Sequence, residues 1–180
     1  LISVNQSLWL DEAIGALAAK NFNYQDLIYK FMPADNHSPL YYILLKFWTG
    51  FFGFSELGIR SLTILASIIA IYLSFKLSLL LFRNKYQALF VALFLATSQY
   101  YVYYSQEARM YALTSLFSVA AIYYLIKKNW ILYSFSITAL IFTDYVPVFF
   151  LPVVFVFFFL DPKNRKDWKA FLASHIPLIT

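Results

Sequence analysis

The sequence predicts an all-helical protein that crosses a lipid bilayer several times. Of its 180 residues, 62% are hydrophobic and 22% are aromatic, while only 13% are charged, against about 25% charged residues in an ordinary soluble domain. Several stretches of about 17 to 25 residues hold at most one charge, and an α-helix of that length crosses a hydrocarbon core of about 30 Å. Because one water-soluble core cannot hide so much apolar surface, we expect the bilayer to act as its solvent.

Five crossings are predicted in the second part of the chain. The last two are short apolar runs that count separately if Asp144 caps a tight turn between them. The predicted spans are Ile59 to Phe82, Gln87 to Val102, Tyr111 to Ile126, Trp130 to Phe142 and Val146 to Leu160. A further apolar segment begins near Phe171, and we expect the chain to be a fragment of a longer protein.

The basic residues predict the side of the membrane on which each loop lies. Lys and Arg accumulate in cytoplasmic loops, and alternate loops of the predicted bundle contain Arg83, Lys85, Lys127, Lys128, Lys163, Arg165, Lys166 and Lys169. The opposite face then collects seven of the nine acids, namely Asp11, Glu12, Asp26, Asp35, Glu56, Glu107 and Asp144. We therefore expect a multi-pass protein of the cell membrane, with most of its candidate functional acids on the extracytoplasmic face.

Residues 1 to 58 are expected to form an outer loop, and residues 59 to 180 the transmembrane helices of the same single domain. Two short amphipathic helices that lie in the membrane plane are predicted between Asp11 and Met32, with Asn23 as an N-cap and Asp26 in the turn that follows. The apolar run from Ser38 to Phe54 contains Lys46. If that run crossed the bilayer, every later loop would change sides, so we expect it to lie flat or re-entrant against the outer face.

Composition argues against several classes of function. Without cysteine, the chain has no disulfide, no thiolate metal site and no Cys nucleophile. Its net charge of +5 comes from short loops rather than from a basic patch on a wettable face, which argues against a nucleic-acid partner. The four glycines form no Gly-rich phosphate-binding loop, so a transferase of this sequence would favour a lipid-linked sugar over a soluble nucleotide sugar.

Three groups of ionisable residues are predicted to meet at the outer face: Asp11 with Glu12, Glu107 with Arg109, and Asp144. Ionisable groups at a membrane boundary are costly unless paired or hydrated, so each is a candidate functional residue, although each could equally cap a helix or lie in water. His37 beside Asp35 suits a metal ion or plain solvation.

A membrane transferase needs a cation at the leaving phosphate and a base at the acceptor. Arg109, Arg60 and Lys46 fall where cations would stabilise a phosphate leaving group at the interface. A carboxylate across the pocket would take the proton from the acceptor hydroxyl or amine.

Taken in order, five motifs resemble one superfamily of polytopic glycosyltransferases. They are Ser7-Leu8-Trp9-Leu10-Asp11-Glu12-Ala13, His37-Ser38-Pro39-Leu40-Tyr41-Tyr42, Ser55-Glu56-Leu57 with Arg60, Tyr104-Ser105-Gln106-Glu107-Ala108-Arg109-Met110-Tyr111-Ala112-Leu113, and Thr143-Asp144-Tyr145. They are similar to motifs of the dolichyl- or polyprenyl-phosphate-mannose protein mannosyltransferases and the aminoarabinose (lipid A) transferases. The resemblance covers nearly all of the chain and implies a transmembrane bundle of the GT-C type.

The resemblance also implies an activity. A hexose or pentose would pass, with inversion, from a polyprenyl-phosphate donor to a lipid, glycan or protein acceptor on the non-cytoplasmic face. It implies the general base Asp11, supported by Glu12, with a divalent cation as a further candidate whose ligands would be Asp11, Glu12 and Glu107. The substrate-binding residues that it implies are Glu107, Arg109, Asp144, His37, Tyr104 and Arg60. The chain has His37-Ser38-Pro39 where a His-Pro-Pro run is common in the family, so the role of His37 stays open.

Two other classes of function compete with this interpretation. A lipid or sugar transporter or flippase would place ionisable groups near the bilayer midplane, whereas Lys76 alone falls well inside a predicted span and lies close enough to its end to snorkel. A membrane scaffold without chemistry would have independent outer acids that tolerate substitution.

Overall fold

The computed structural model describes residues 7–31, 33, 38–160 and 164–178, and all regular structure in those ranges is helical. The α-helices are α1 (Leu10–Asn21), α2 (Pro39–Phe52), α3 (Glu56–Phe82), α4 (Lys85–Thr97), α5 (Gln99–Ser105), α6 (Tyr111–Ile126), α7 (Trp130–Thr143), α8 (Phe150–Leu160) and α9 (Trp168–Ala173). A helical turn at Tyr24–Asp26 continues as a π-helical turn at Leu27–Phe31, and 3-10 turns occupy Val146–Phe149, Arg165–Asp167 and Ile176–Leu178. The predicted all-helical class is confirmed for this part of the chain.

Helix α3 is long and apolar enough to cross a bilayer, and it is the one helix of the described ranges that meets both criteria. Its 27 residues span about 40 Å at about 1.5 Å per residue. The other predicted spans also coincide with apolar helical segments, but these are shorter: Lys85–Thr97, Tyr111–Ile126, Trp130–Thr143 and Val146–Leu160. Five full crossings therefore remain a prediction.

The second predicted span is interrupted at Ser98, closer to its C-terminal end. Ser98, with φ −61° and ψ 118°, leaves the helical region between α4 and α5. Its hydroxyl accepts a hydrogen bond from the backbone N–H of Tyr101 at 3.5 Å, as an N-cap residue does. The predicted continuous run is thus two helices, and the tyrosines Tyr100, Tyr101, Tyr103 and Tyr104 lie on the second, α5.

The turn between α2 and α3 requires two glycines. Gly53 ends α2 with φ 76°, a left-handed conformation that glycine adopts without strain. A Cβ atom at Gly58 would lie 2.6 Å from the carbonyl oxygen of Gly53, so no larger residue fits that approach. This tight turn places the first turns of α3, which contain Arg60, directly beside α2.

Helices α3, α6 and α7 form the centre of the bundle: α3 packs along α6, and α6 packs along α7. Buried alanines allow these helices to approach closely; they are Ala66, Ala70, Ala112, Ala120, Ala121 and Ala139. A second buried cluster joins α7, α8 and α9 through Tyr133, Ile137, Val154, Phe158 and Phe171. The first cluster joins α1, α2, α3 and α6 through residues such as Ala19, Tyr41 and Leu62. It therefore lies on the side of the bundle that carries Glu12 of α1 and Arg60 of α3.

Two predicted caps are present. Asn23 accepts a hydrogen bond from the backbone N–H of Asp26 at 2.7 Å, which confirms it as an N-cap. Asp144 follows α7 and accepts from the N–H of Val146 at 3.1 Å, so it closes the turn that leads into Val146–Phe149. Both caps were predicted from a polar residue beside the end of a predicted helix.

An ion pair joins two loops that the basic residues assign to the same side of the membrane. Nζ of Lys128 lies 2.6 Å from Oδ2 of Asp167, across 39 residues of sequence. The two ends of the segment that contains α7, the turn and α8 therefore lie close together. An even number of crossings between the two loops would give this arrangement.

Candidate functional site

Glu12 is the most completely bonded acid of the described chain. It lies in the first turn of α1, and only 1% of its surface is exposed. One of its oxygens, Oε2, accepts from Nη2 of Arg60 at 2.7 Å and from the N–H of Trp9 at 3.0 Å. The other oxygen, Oε1, accepts from Nε of Arg60 at 3.2 Å and from the N–H of Ala108 at 2.6 Å. One carboxylate therefore ties together the first loop, the start of α3 and the loop before α6.

The environment keeps Glu12 ionised. Burial by itself would raise the pKa of Glu12, but the Arg60 guanidinium and the N–H groups of Ala108 and Trp9 outweigh it, so the pKa lies below its ordinary value. A carboxylate with two oxygens accepts about four hydrogen bonds, and all four positions are occupied here. Glu12 could bind a divalent cation only by giving up these bonds, so it does not fit the metal ligand that the resemblance implies.

Arg60 belongs to the scaffold of the site. Only 1% of its surface is exposed, and its guanidinium is directed at Glu12. Such a buried, charge-assisted pair fixes the relative positions of its two side chains. This position favours a positioning role for Arg60 over the direct contact with a substrate phosphate that the sequence suggested.

Asp11 has the opposite environment to its neighbour. Its Oδ2 lies 3.0 Å from Nη1 of Arg109, and its side chain is 63% exposed, while that of Arg109 is 12% exposed. The guanidinium carbon of Arg109 lies 5.8 Å from the centre of the Tyr111 ring, within the range of a cation–π contact. The site thus presents the solvent-accessible Asp11 carboxylate beside the Arg109 guanidinium, which packs over the Tyr111 ring.

Glu107 lies half-buried on the loop between α5 and α6. Burial raises its pKa above the ordinary value, the negative charges of Glu12 and Asp11 add to that increase, and Arg109 and Arg60 oppose it. The three acids of the site therefore differ in kind: Glu12 is a buried anion, Asp11 an exposed paired anion, and Glu107 an acid that holds its proton more tightly than usual.

Tyr41 is a member of the site that the sequence reasoning did not single out. It lies on α2, is 2% exposed, and is within electrostatic reach of Glu12, Arg109 and Glu107. Its hydroxyl has no hydrogen-bond partner among the described residues, which is uncommon for a buried polar group. The signal was present in the Leu40-Tyr41-Tyr42 run, but the sequence shows neither that both tyrosines are buried nor that Tyr41 lies near these charges.

Tyr104 reaches the site through a neighbour. Its ring meets that of Tyr111 edge-on, with centroids 5.1 Å apart, and its hydroxyl lies 3.5 Å from that of Tyr100. Tyr111 in turn packs against Arg109. A row of tyrosines therefore runs away from the Asp11–Arg109 ion pair.

Two further predicted residues, Asp144 and Lys46, make their described contacts away from the Asp11–Arg109 pair. Asp144 caps its own turn, and no contact within the described ranges joins it to Asp11, Glu107 or Arg109. Its loop does approach the start of α2, because the Ser38 hydroxyl donates to the carbonyl of Ile141 at 3.2 Å. The Lys46 ammonium donates to the carbonyl of Ala19 at 2.9 Å, where it caps α1. His37 and Asp35 lie outside the described residues.

No group of three or more His, Cys, Asp or Glu side chains in the described residues is arranged to hold a metal ion. Asp11, Glu12 and Glu107 do not form such a group, because protein N–H groups already occupy the acceptor positions of the Glu12 carboxylate. The geometry therefore assigns no chemical step to a divalent cation.

Residues 36–180 match the family described as dolichyl-phosphate-mannose-protein mannosyltransferase. The match includes Arg60, Glu107, Arg109 and Asp144 but begins after Asp11 and Glu12, which are tied to the matched region by their ion pairs. No curated protein and no solved structure matches the chain. Because the matched region covers well over half of the sequence, the chain belongs to the dolichyl-phosphate-mannose-protein mannosyltransferase family.

Proposed function

We propose that the chain is the acceptor-side core of an integral membrane glycosyltransferase. It would move a sugar from a polyprenyl-phosphate donor to an acceptor on the extracytoplasmic face of a multi-pass protein, with inversion at the anomeric carbon. Membership of the mannosyltransferase family supports glycosyl transfer in general. The observation that carries the finer proposal is the exposed Asp11 carboxylate 3.0 Å from the well-held Arg109 guanidinium.

In this proposal, Asp11 is the general base. The acceptor hydroxyl or amine attacks the anomeric carbon, the bond from that carbon to the phosphate oxygen breaks, and the phosphate leaves with the bonding electrons. Asp11 takes the acceptor proton as the new bond forms. Attack from the face opposite the phosphate inverts the configuration of the anomeric carbon.

Arg109 would stabilise the leaving phosphate, because a positioned cation compensates the charge that develops on the leaving oxygen. Its guanidinium is paired with Asp11. A donor phosphate that shares this guanidinium weakens the pair and so makes the Asp11 carboxylate a better proton acceptor. Arrival of the donor would then activate the base.

Glu12 and Arg60 would set the distance between base and cation. Glu12 follows Asp11 in the chain and is bonded to the N–H of Ala108, which precedes Arg109. The scaffold therefore fixes both catalytic side chains through their immediate neighbours. Substrate contact is not required of either scaffold residue.

The test is transfer from radiolabelled polyprenyl-phosphate mannose by the full-length protein and its Asp11→Asn variant. We expect the variant to lose at least about 100-fold in kcat, the lower end of the effect of a general base, while binding of the donor persists. Asp26→Asn is the matched control, because Asp26 is also an acid of the first loop that pairs with a cation, Lys30, at 2.7 Å. Full activity of Asp11→Asn would refute its role as base, and a parent protein without transfer would favour a transporter or a scaffold.

A further inference from the structure

A pocket of about 310 Å³ lies between α3, α5 and α6, and its wall is rich in hydroxyl groups. Four tyrosines, Tyr100, Tyr101, Tyr104 and Tyr111, line it together with three serines, and Ala112 completes the wall. None of these residues is charged. Tyrosines alone are common at membrane–water interfaces, but here three serine hydroxyls share the wall with them.

The tyrosine rings of the pocket contact one another. The Tyr100 and Tyr104 ring centroids are 4.7 Å apart, and their hydroxyls are 3.5 Å apart. Tyr111 meets Tyr104 edge-on, and the Tyr101 hydroxyl donates to the carbonyl of Ser67 at 3.3 Å. The pocket therefore offers ring faces and hydroxyls at neighbouring points of one wall.

The size and lining of the pocket favour a sugar ring over a lipid tail or a phosphate. A cavity of about 150 Å³ holds benzene, with six heavy atoms, so about 310 Å³ suits one hexose ring with its twelve heavy atoms. A lipid tail would prefer the larger groove of about 1010 Å³, whose lining includes Leu40, Ile43, Phe117 and Phe135. A phosphate would need a cation in the wall, and this wall has none.

The pocket adjoins the Asp11–Arg109 pair. Tyr111 forms part of its wall and also lies under the Arg109 guanidinium, 5.8 Å from ring centre to guanidinium carbon. A ligand in the pocket is thus separated from the cation by a single aromatic ring. A sugar bound there would have its glycosidic end close to the groups that the proposed function uses.

We propose that this tyrosine pocket binds a pyranose ring, either the sugar of the lipid-linked donor or a sugar unit of a glycan acceptor. The ring C–H face packs on the tyrosine faces, and the sugar hydroxyls exchange hydrogen bonds with the tyrosine and serine hydroxyls, which both donate and accept. The inference deepens the proposed function and rests on it for the identity of the site.

Binding to the detergent-purified full-length protein tests the pocket with three probes. These are a short-chain polyprenyl-phosphate mannose, the same polyprenyl phosphate without sugar, and soluble mannobiose. Tyr104→Phe keeps the ring and removes the hydroxyl, and we expect its affinity for a mannose-bearing probe to fall about threefold to tenfold, with affinity for the sugar-free lipid unchanged. Tyr103→Phe is the matched control, since Tyr103 lies on the same helix but does not line the pocket.

A loss confined to the lipid-linked mannose identifies the donor sugar, a loss confined to mannobiose identifies an acceptor sugar, and either supports the proposal. An unchanged affinity for both sugar probes overturns it, as does an equal loss for the sugar-free lipid or for Tyr103→Phe. If the parent protein transfers mannose while Tyr104→Phe binds normally, the pocket alone is refuted. If the parent transfers nothing but binds mannobiose through Tyr104, the proposed function alone is refuted.

Discussion

The carboxylate of Glu12 and the guanidinium of Arg60 form a two-point ion pair, with N–O distances of 2.7 and 3.2 Å, inside the protein. The partners lie 48 residues apart in the sequence. Removal of one member of such a pair leaves the other charge buried without compensation, which is the costly change, whereas removal of both costs much less.

This relationship predicts an asymmetry between single and double substitutions. Arg60→Met should lower the free energy of unfolding by about 3 to 5 kcal/mol, because Glu12 is left buried. The double variant Glu12→Leu with Arg60→Met should recover much of that loss, as measured by thermal unfolding of the detergent-purified protein. Lys85→Met, at an exposed position, is the control and should have no comparable effect. Equal losses in the single and double variants would contradict a coupled pair.

Acid should weaken the scaffold through Glu12. Its pKa in the folded protein lies below the ordinary value of 4.5, so the unfolded chain binds a proton more readily. The stability contributed by Glu12 is present above pH 4.5 and is lost as the pH falls through the folded pKa. Thermal unfolding followed from pH 6 down to about pH 3 should show this loss, and Glu12→Gln should reduce the slope.

Glu107 should act in the opposite direction. Its folded pKa is raised above 4.5, mainly by burial and by the charge of Glu12, so the folded protein binds the proton more readily. Its contribution to stability is fully present below pH 4.5 and is lost as the pH rises through the folded pKa. Glu107→Gln, which stays neutral, should therefore be relatively more stable than the parent at pH 7 than at pH 4. A steeper rather than shallower fall with rising pH in the variant would contradict this assignment.

Asp144 should behave as a cap. Its side-chain oxygen accepts from the N–H of Val146, and asparagine can supply the same acceptor, so Asp144→Asn should keep both stability and mannose transfer. Asp144→Ala should cost about 0.5 to 2 kcal/mol of stability, the range found for lost side-chain caps. A large loss of transfer in Asp144→Asn would show that the charge, rather than the turn, is needed.

The predicted topology can be tested by labelling. The single variants Tyr29→Cys and Lys128→Cys, in a cysteine-free background, should react with a membrane-impermeant maleimide from opposite sides of the membrane. The first loop is predicted outside and the Lys128–Asp167 pair inside. Tyr29 is 78% exposed and the Lys128 side chain 43% exposed, so both are accessible. Labelling of both from the same side would refute the orientation.

Sequence reasoning succeeded where the signal is local. Asn23 was predicted as an N-cap because Asp26 follows it by three residues, and the positions of the apolar helices follow from composition. Asp144 was predicted both as the cap of a tight turn and as a substrate-binding residue, and the structure shows the cap. Sequence reasoning failed at Ser98, because the residues around it disrupt no hydrophobic pattern, and only the backbone dihedrals show that the helix is interrupted there.

The resemblance implied different roles for Asp11 and Glu12, but it did not predict their different environments. The two acids are adjacent and chemically alike, so their local pattern does not show which one is buried. The helix that begins at Leu10 points one toward solvent and the other toward Arg60. Which acid is buried depends on contacts across 48 and 96 residues, and such contacts leave no trace in local pattern.

The hydrogen bond from the Ala108 amide to Glu12 has a consequence for motion. This 2.6 Å bond and the Arg60 contact join the first turn of α1 to the loop before α6, so the backbone positions of Asp11 and Arg109 are coupled. If the proposed function holds, their spacing is set before the donor binds, and little reorganisation is required at the moment of reaction. Closure around a bound lipid would then come from helices that move against this unit as a whole.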